Sequence, residues 1–315
     1  MLLADARLCV MPTRREFLTT VAATAGVSYT VPPRAPLEAA AAAPATAAGQ
    51  EEIKTAIAGA IGLQLWSLRQ YGPKDVAGTL AKIHGMGFRA VESAGLWGKT
   101  AGELRGALDA AGLRCQSAHM NFARLDRDAP AAFAEAKALG AAWVVCPWVD
   151  PGKPWTRDDA VKTAAAFNRF GKAAQAADLR FAYHCHGYEF LPSPEGTLFD
   201  TLAQQTDPAA VTFQMDVFHA LLGGVDPVAL IARYGSRVSS LHLKDLKKGF
   251  PVKAGAATAP AEADVPLGTG EVDMAGVLRA AMKAGTGLYF VEDESATPLV
   301  NIPKSVAYLK AFRNA

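Results

Sequence analysis

The chain has 315 residues, 50% of them hydrophobic and 20% charged, a balance that excludes intrinsic disorder and fits one large folded domain or two small ones. Lys and Arg number 32 against 30 Asp and Glu, a formal charge of +2, so there is no basic field of the kind that draws a protein onto nucleic acid phosphates. The four cysteines, at positions 9, 115, 146 and 185, show neither zinc-ribbon spacing nor the density of a disulfide scaffold.

Residues 1–50 read as an export signal and linker, and 51–315 as one folded domain. Thr13-Arg14-Arg15-Glu16-Phe17-Leu18 is similar to the twin-arginine consensus, a weakly apolar run follows to Val31, and Ala45-Thr46-Ala47 suits a cleavage site. The run is shorter than the ~20 residues of a membrane span. The expectation is therefore a soluble periplasmic protein that meets the twin-arginine translocase during export. Four of the 32 basic and three of the 30 acidic residues lie in positions 1–47, which leaves a nearly neutral domain of 28 and 27. Cys115, Cys146 and Cys185 sit in apolar, strand-like runs and are expected to be buried thiols.

From residue 61 onward short strand-like runs alternate with longer helical ones, the pattern of a parallel α/β fold. The strands are predicted at 61–68, 89–94, 113–120, 141–148, 179–186, 211–218, 238–245 and 287–294. Helices are predicted at 73–84, 100–110, 129–139, 157–177, 227–234, 274–283 and 303–312, with a less clearly helical stretch between the fifth and sixth strands. Eight such pairs in this length match a (β/α)8 TIM barrel, typically ~250 residues, better than an open doubly wound sheet. No GxGxxG or GxxxxGK[ST] loop is present, which argues against a nucleotide-binding fold.

In such a barrel the C-terminal strand ends line the active site. Those ends carry Gln64, Ser67, Glu92, His119, Asn121, His184, His186, Gln214, Asp216, His242, Lys244, Glu292 and Glu294. Residues two apart share a strand face, so the last four strands offer imidazoles and carboxylates side by side. Ionisable groups inside apolar strands are costly unless paired or metal-bound. The mixture suits one divalent Mn, Fe, Co, Zn or Ni rather than calcium. Trp66, Trp97, Trp148 and Trp155 lie near strand ends, where they suit either stacking on a sugar ring or ordinary packing.

The segments Ile61-Gly62-Leu63-Gln64-Leu65-Trp66-Ser67-Leu68-Arg69, Gly87-Phe88-Arg89-Ala90-Val91-Glu92, Tyr183-His184-Cys185-His186-Gly187-Tyr188-Glu189-Phe190, Gln214-Met215-Asp216, His242-Leu243-Lys244-Asp245, Leu267 to Asp273 and Val291-Glu292 carry a family resemblance. From Ile61 onward the chain resembles the xylose-isomerase-like TIM barrel superfamily, in particular its sugar phosphate isomerase/epimerase group, which also contains inosose dehydratase, tagatose and psicose epimerases and endonuclease IV. The resemblance implies one divalent metal held by His184, Asp216, His242 and Glu292. It also implies proton removal from a carbon beside a carbonyl, with the metal polarising the carbonyl oxygen. Ketose epimerases have a second acid/base glutamate where this chain has His184. Glu292 is the expected acid/base group here, with Glu189, His186, Lys244 and Glu92 as candidates for the other. A sugar isomerase or epimerase is the leading expectation and a dehydratase or lyase on a keto-sugar or oxidised glycoside the alternative. An endonuclease IV-like enzyme is disfavoured by the neutral charge and too few ligands, and a non-catalytic sugar-binding barrel by retention of the metal set. A small carbohydrate is the expected partner; a homo-oligomer is compatible with the sequence, nucleic acid and stable membrane insertion are not.

Overall fold

A computed structural model describes residues 51–151 and 155–314; the export signal and Arg14-Arg15 lie outside them. Eight parallel strands close into a barrel: β1 (Ala60–Gln64), β2 (Ala90–Ala94), β3 (Arg114–His119), β4 (Trp143–Cys146), β5 (Arg180–His184), β6 (Val211–Asp216), β7 (Val238–Leu243) and β8 (Leu288–Val291). Each strand pairs with its neighbours in sequence, and β8 closes on β1 through Gly62 opposite Phe290 and Leu63 opposite Val291. The expected TIM barrel is the fold. Around it run α1 (Val76–Gly85), α2 (Ala101–Ala110), α3 (Phe122–Leu139), α4 (Arg157–Ala176), α5 (Leu198–Gln205), α6 (Val217–Leu222), α7 (Pro227–Tyr234), α8 (Met274–Ala284) and α9 (Pro298–Ala311). No helix among the described residues is long and apolar enough to cross a membrane.

The differences from the sequence expectation have local causes. The Gln64 side chain accepts from the Trp66 backbone N–H at 3.1 Å, ending β1 and turning residues 65–68 into a 3₁₀ turn. Helix α3 begins seven residues before Ala129 and breaks at Asp128 (φ −157°, ψ 76°). The Asp128 carboxylate accepts from the Ala131 N–H at 3.0 Å and so caps the second half, placing Pro130 in a first turn where its missing N–H costs nothing. Helix α5, faint in the sequence, is nucleated by a capping box in which Thr197 and Asp200 satisfy each other's backbone N–H. Helix α9 starts at Pro298, five residues before Pro303.

Residues 51–59 pack against the N-terminal ends of the first strands, where the Ile53 N–H bonds Gly87 O at 3.1 Å and Ile57 is buried. Cys115, Cys146 and Cys185 are buried free thiols, and burial pushes the first two up to about 12. Inside the barrel the Phe290 ring lies against β1 at Gly62, where a Cβ would stand 2.8 Å from the ring and 3.1 Å from Ala90 O. This layer supports Gln64 and Glu292, one inward-facing position further along each strand. Gly62→Ala is therefore expected to destabilise the fold by about 1–3 kcal/mol through overpacking, read as a lowered urea midpoint with an unchanged m-value.

Candidate metal centre and cavity

Glu92, at the centre of β2, is completely buried. It accepts from Gln64 Nε2 (2.8 Å), Ser117 Oγ (2.5 Å), Gln214 Nε2 (2.9 Å) and His242 Nε2 (2.6 Å), with His119 Nε2 at 3.1 Å. Burial works to raise this carboxyl, but His119 and then His242 outweigh it and hold it well below the usual carboxylate range.

This hub orients the groups above it. Because Gln214 gives its amide N–H to Glu92, its Oε1 must be the acceptor for His184 Nδ1 and His119 Nε2, both at 3.0 Å. His184 Nδ1 thus carries the proton, and the Nε2 lone pair points at Asp216 Oδ2, 3.9 Å away. His242 is turned the opposite way: Nε2 bonds Glu92, leaving Nδ1 at 3.0 Å from Glu292 Oε2 and 3.9 Å from Asp216 Oδ2. Asp216 Oδ1 accepts from the His219 N–H at 2.9 Å and caps α6, while Oδ2 is buried with no hydrogen-bond partner. Ligand atoms of Asp216, His242 and Glu292 lie within 4.8 Å of one another.

Asp216, His242 and Glu292 fit a divalent cation, with His184 at its edge, 3.9 Å from Asp216 Oδ2. A tetrahedral site with bonds of about 2.0–2.2 Å has donor separations of about 3.3–3.6 Å, which the 3.0 and 3.9 Å spacings bracket. The unpartnered Asp216 Oδ2 and the hydrogen-bonded far side of each imidazole are what such a site requires. His119, His184 and His242 form a second cluster of ligand atoms, but His119 Nε2 is already engaged by Gln214 and Glu92.

Charges compensate one another across the quartet. Burial works against a charged His242, but Glu292 and Glu92 outweigh it and raise the imidazole to about 10. Burial likewise opposes ionisation of Glu292, yet His242 and Lys244 hold it at about 2. Burial pushes Asp216 up to about 6. His184 is held well below the usual imidazole range by burial and by the charge on His242, so it is neutral at pH 7.

The other expected residues part company. Lys244 is buried beside the quartet and donates to Glu294 Oε2 at 2.6 Å, with Asp264 Oδ2 at 3.9 Å. His186 and His219 stand together in the cavity wall, ring centroids 4.6 Å apart, and Nδ1 of each is buried without a partner. Burial keeps both well below the usual range, helped by the His219 ring in the case of His186 and by Lys244 in the case of His219. Glu189 corrects the expectation of a second acid/base carboxylate: its oxygens are held by the Tyr183 hydroxyl and by the His186 N–H at 2.9 Å, and the Tyr183 ring packs on Phe167 of α4. As a neighbour of Tyr183 it stands on the strand face opposite His184, and burial raises it to about 8.

Above the quartet opens a cavity of about 530 Å³, lined by Trp66, His119, Trp148, His184, His186, His219 and Glu294 among others. Trp97 and Trp155 are buried packing residues. Two features escaped the sequence reading: His219, three residues beyond Asp216 on a helix start, and the Arg124–Glu135 pair in the cavity wall. The spacing Asp216-x-x-His219, a capping aspartate with the imidazole at N3, is the signal that points to the first.

Eight parallel strands with a cluster of imidazoles and carboxylates at their C-terminal ends define a (β/α)8 TIM barrel whose site could hold a metal ion. The chain belongs to the xylose isomerase-like TIM barrel family, whose pattern it matches over residues 80–312. It is 28% identical over 179 residues to an inosose dehydratase from Lacticaseibacillus casei, covering 51% of this chain and 57% of that one. Over 124 residues it is 27% identical to the inosose dehydratase of Clostridium tetani, 35% of this chain and 41% of that one; the chain thus spans only about half the length of these curated relatives. Among solved structures it resembles a sugar phosphate isomerase/epimerase from Parabacteroides distasonis (25% identity, TM-score 0.66, 84% of this chain and 98% of that one). The IolI protein with a bound zinc atom shares the fold at 14% identity (TM-score 0.61, 80% and 96% covered).

Asp216→Ala and His242→Ala are each expected to abolish stoichiometric metal binding, measured by metal analysis after dialysis, while circular dichroism stays that of the folded barrel. His242 carries a proton below about 10 that a cation must displace, whereas His184 is already neutral. Metal affinity should therefore rise about tenfold per pH unit between pH 7 and 9, with one proton released per metal in calorimetry.

Proposed function

We propose that the protein is a metal-dependent enzyme that removes a proton from the carbon beside a carbonyl of a sugar or sugar derivative. The observation that carries this reading is the pair of buried, neutral imidazoles, His186 and His219, with unpartnered Nδ1 atoms in the lining of a cavity that His184, beside the Asp216–His242–Glu292 cluster, also lines. His184, Asp216, His242 and Glu292 would hold the cation. When bound, the cation supplies a Lewis acid for the carbonyl oxygen.

The chain's own groups divide the remaining work. A neutral imidazole is ready to accept a proton at pH 7, and His186 is the acceptor the wall offers. Glu292 is held near 2 by His242 and Lys244, which suits a ligand better than a base. Lys244, fixed by Glu294, keeps positive charge beside the quartet, where negative charge builds up on the substrate oxygen. His219 faces the same space and serves to hold or protonate a substrate hydroxyl.

Return of the proton to another carbon makes the enzyme an isomerase or epimerase, and loss of a hydroxyl makes it a dehydratase. The placement of Glu189 behind β5 favours the second outcome, because a two-base epimerase needs an acid/base group on each face of the substrate carbon, whereas elimination needs one acceptor and a nearby donor. The inosose dehydratase relatives support the same branch. We also place this activity outside the cytoplasm, on the strength of the Thr13–Leu18 motif alone.

Metal-loaded protein incubated with keto-sugars and inososes in deuterium oxide is expected to exchange one carbon-bound proton and release product lacking the elements of water; absence of exchange with every substrate defeats the reading. His186→Gln should lower turnover by about 100- to 10,000-fold, the effect of losing a general base, with metal content unchanged. Replacing Arg14 and Arg15 by lysine should leave precursor in the cytoplasm, checked by fractionation; unchanged delivery removes the export proposal.

A further inference from the structure

The cavity is too large for a sugar ring alone. A hexose amounts to six water-sized CHOH groups at about 30 Å³ each, roughly 180 Å³, about a third of the 530 Å³ available. The two parts of the lining also differ in chemistry. The floor is polar, with His184, His186, His219 and Glu294, whereas Trp66, Met120, Pro147 and Trp148 contribute broad apolar surface.

The two tryptophans are held rigidly. Trp66 is 45% exposed, and of the four large apolar side chains exposed among the described residues it alone lines this cavity. Its indole N–H donates to Glu294 Oε1 at 2.7 Å, and the Arg69 guanidinium lies over one ring face at 4.9 Å. Trp148 stands edge-on to His186 at 4.7 Å and to Tyr188 at 5.3 Å. An exposed indole fixed through its N–H is a preformed stacking surface whose ordering entropy has been met before a ligand arrives.

The charged groups of the lining are already matched to one another. Arg124 binds Glu135 through two parallel bonds of 2.8 and 2.7 Å, and Glu294 is held by Trp66 and Lys244. A phosphate or carboxylate substituent would have to break the Arg124–Glu135 pair to gain a partner.

From this we propose that the substrate is a keto-glycoside, its oxidised sugar ring with the carbonyl on the histidine floor and an uncharged, planar apolar aglycone against Trp66 and Trp148. The inference rests on the sugar reading above and names its substrate class. Floor and wall are separable in one binding experiment. Calorimetric titration of the metal-loaded protein with methyl and 4-nitrophenyl glycosides of glucose, galactose and mannose, each oxidised to a ring ketone, is expected to show the aryl series binding about tenfold tighter. Trp66→Ala should reduce that preference at least threefold, Trp66→Phe should keep most of it, and the Trp66→Ala/Trp148→Ala double variant should abolish it, with metal stoichiometry and methyl glycoside affinity retained. Equal binding of the two series, or a preference that survives the double variant, overturns this inference alone. Failure of every glycoside to bind overturns the sugar reading, and this inference with it.

Discussion

One imidazole carries the charge balance on which the C-terminal end of the barrel depends. His242 is completely buried between two carboxylates, bonding Glu92 through one ring nitrogen and Glu292 through the other, with a third carboxylate, Asp216, 3.9 Å away. Isolated buried carboxylates are among the costliest groups a fold can hold. A proton on His242 and the charge on Lys244 make them tolerable. A divalent cation taking the place of the Nδ1 proton would supply charge at the same point, so under the proposed reading the groups that stabilise the fold would also hold the metal.

The neighbouring polar residues follow from that constraint. Glu92 cannot be left short of donors, so Gln64, Ser117 and Gln214 turn their donors toward it, and each choice propagates. Gln64 accepts from the Trp66 backbone N–H with its amide oxygen and ends β1; Gln214 accepts from His184 and His119 with its amide oxygen and fixes which nitrogen of each bears the proton. Asp216 links site and scaffold most directly. One oxygen caps α6 and the other is left facing the quartet, so the start of α6, and with it His219, is placed by the ligand itself.

Much of this was legible in the sequence because a strand has a period of two. His184, Asp216 and His242 could be assigned to the strands and their inward faces from spacing alone, with His186, Lys244, Glu292 and Glu294 falling just past the strand ends, and eight apolar runs at barrel spacing implied the fold. What escaped were features decided by side chains reaching back to the main chain. Asp128 restarts a helix around Pro130, and Glu189 is drawn behind β5 by the His186 N–H and the Tyr183 hydroxyl. No strand periodicity covers either. The Arg124–Glu135 pair joins residues eleven apart across the α3 break, so the helical spacing of three or four that would reveal an ion pair does not apply.

The histidine at position 184 ties the electrostatics to the chemistry. With a neutral imidazole there, the quartet holds two carboxylates, Asp216 and Glu292, and a divalent cation brings the set to neutrality; a glutamate would leave it one negative charge in excess. In a buried, low-dielectric site that excess weakens the pull on a substrate oxygen. It would also stand beside His186, raising its affinity for a proton and removing the neutral acceptor on which the proposed proton transfer depends. His184 thus strengthens the Lewis acid and keeps His186 deprotonated, while removing the carboxylate that a two-base epimerase would use on that face. Under the proposed reading, the histidine at this position would favour a one-acceptor elimination, with Lys244 supplying fixed positive charge and His219 available as a donor.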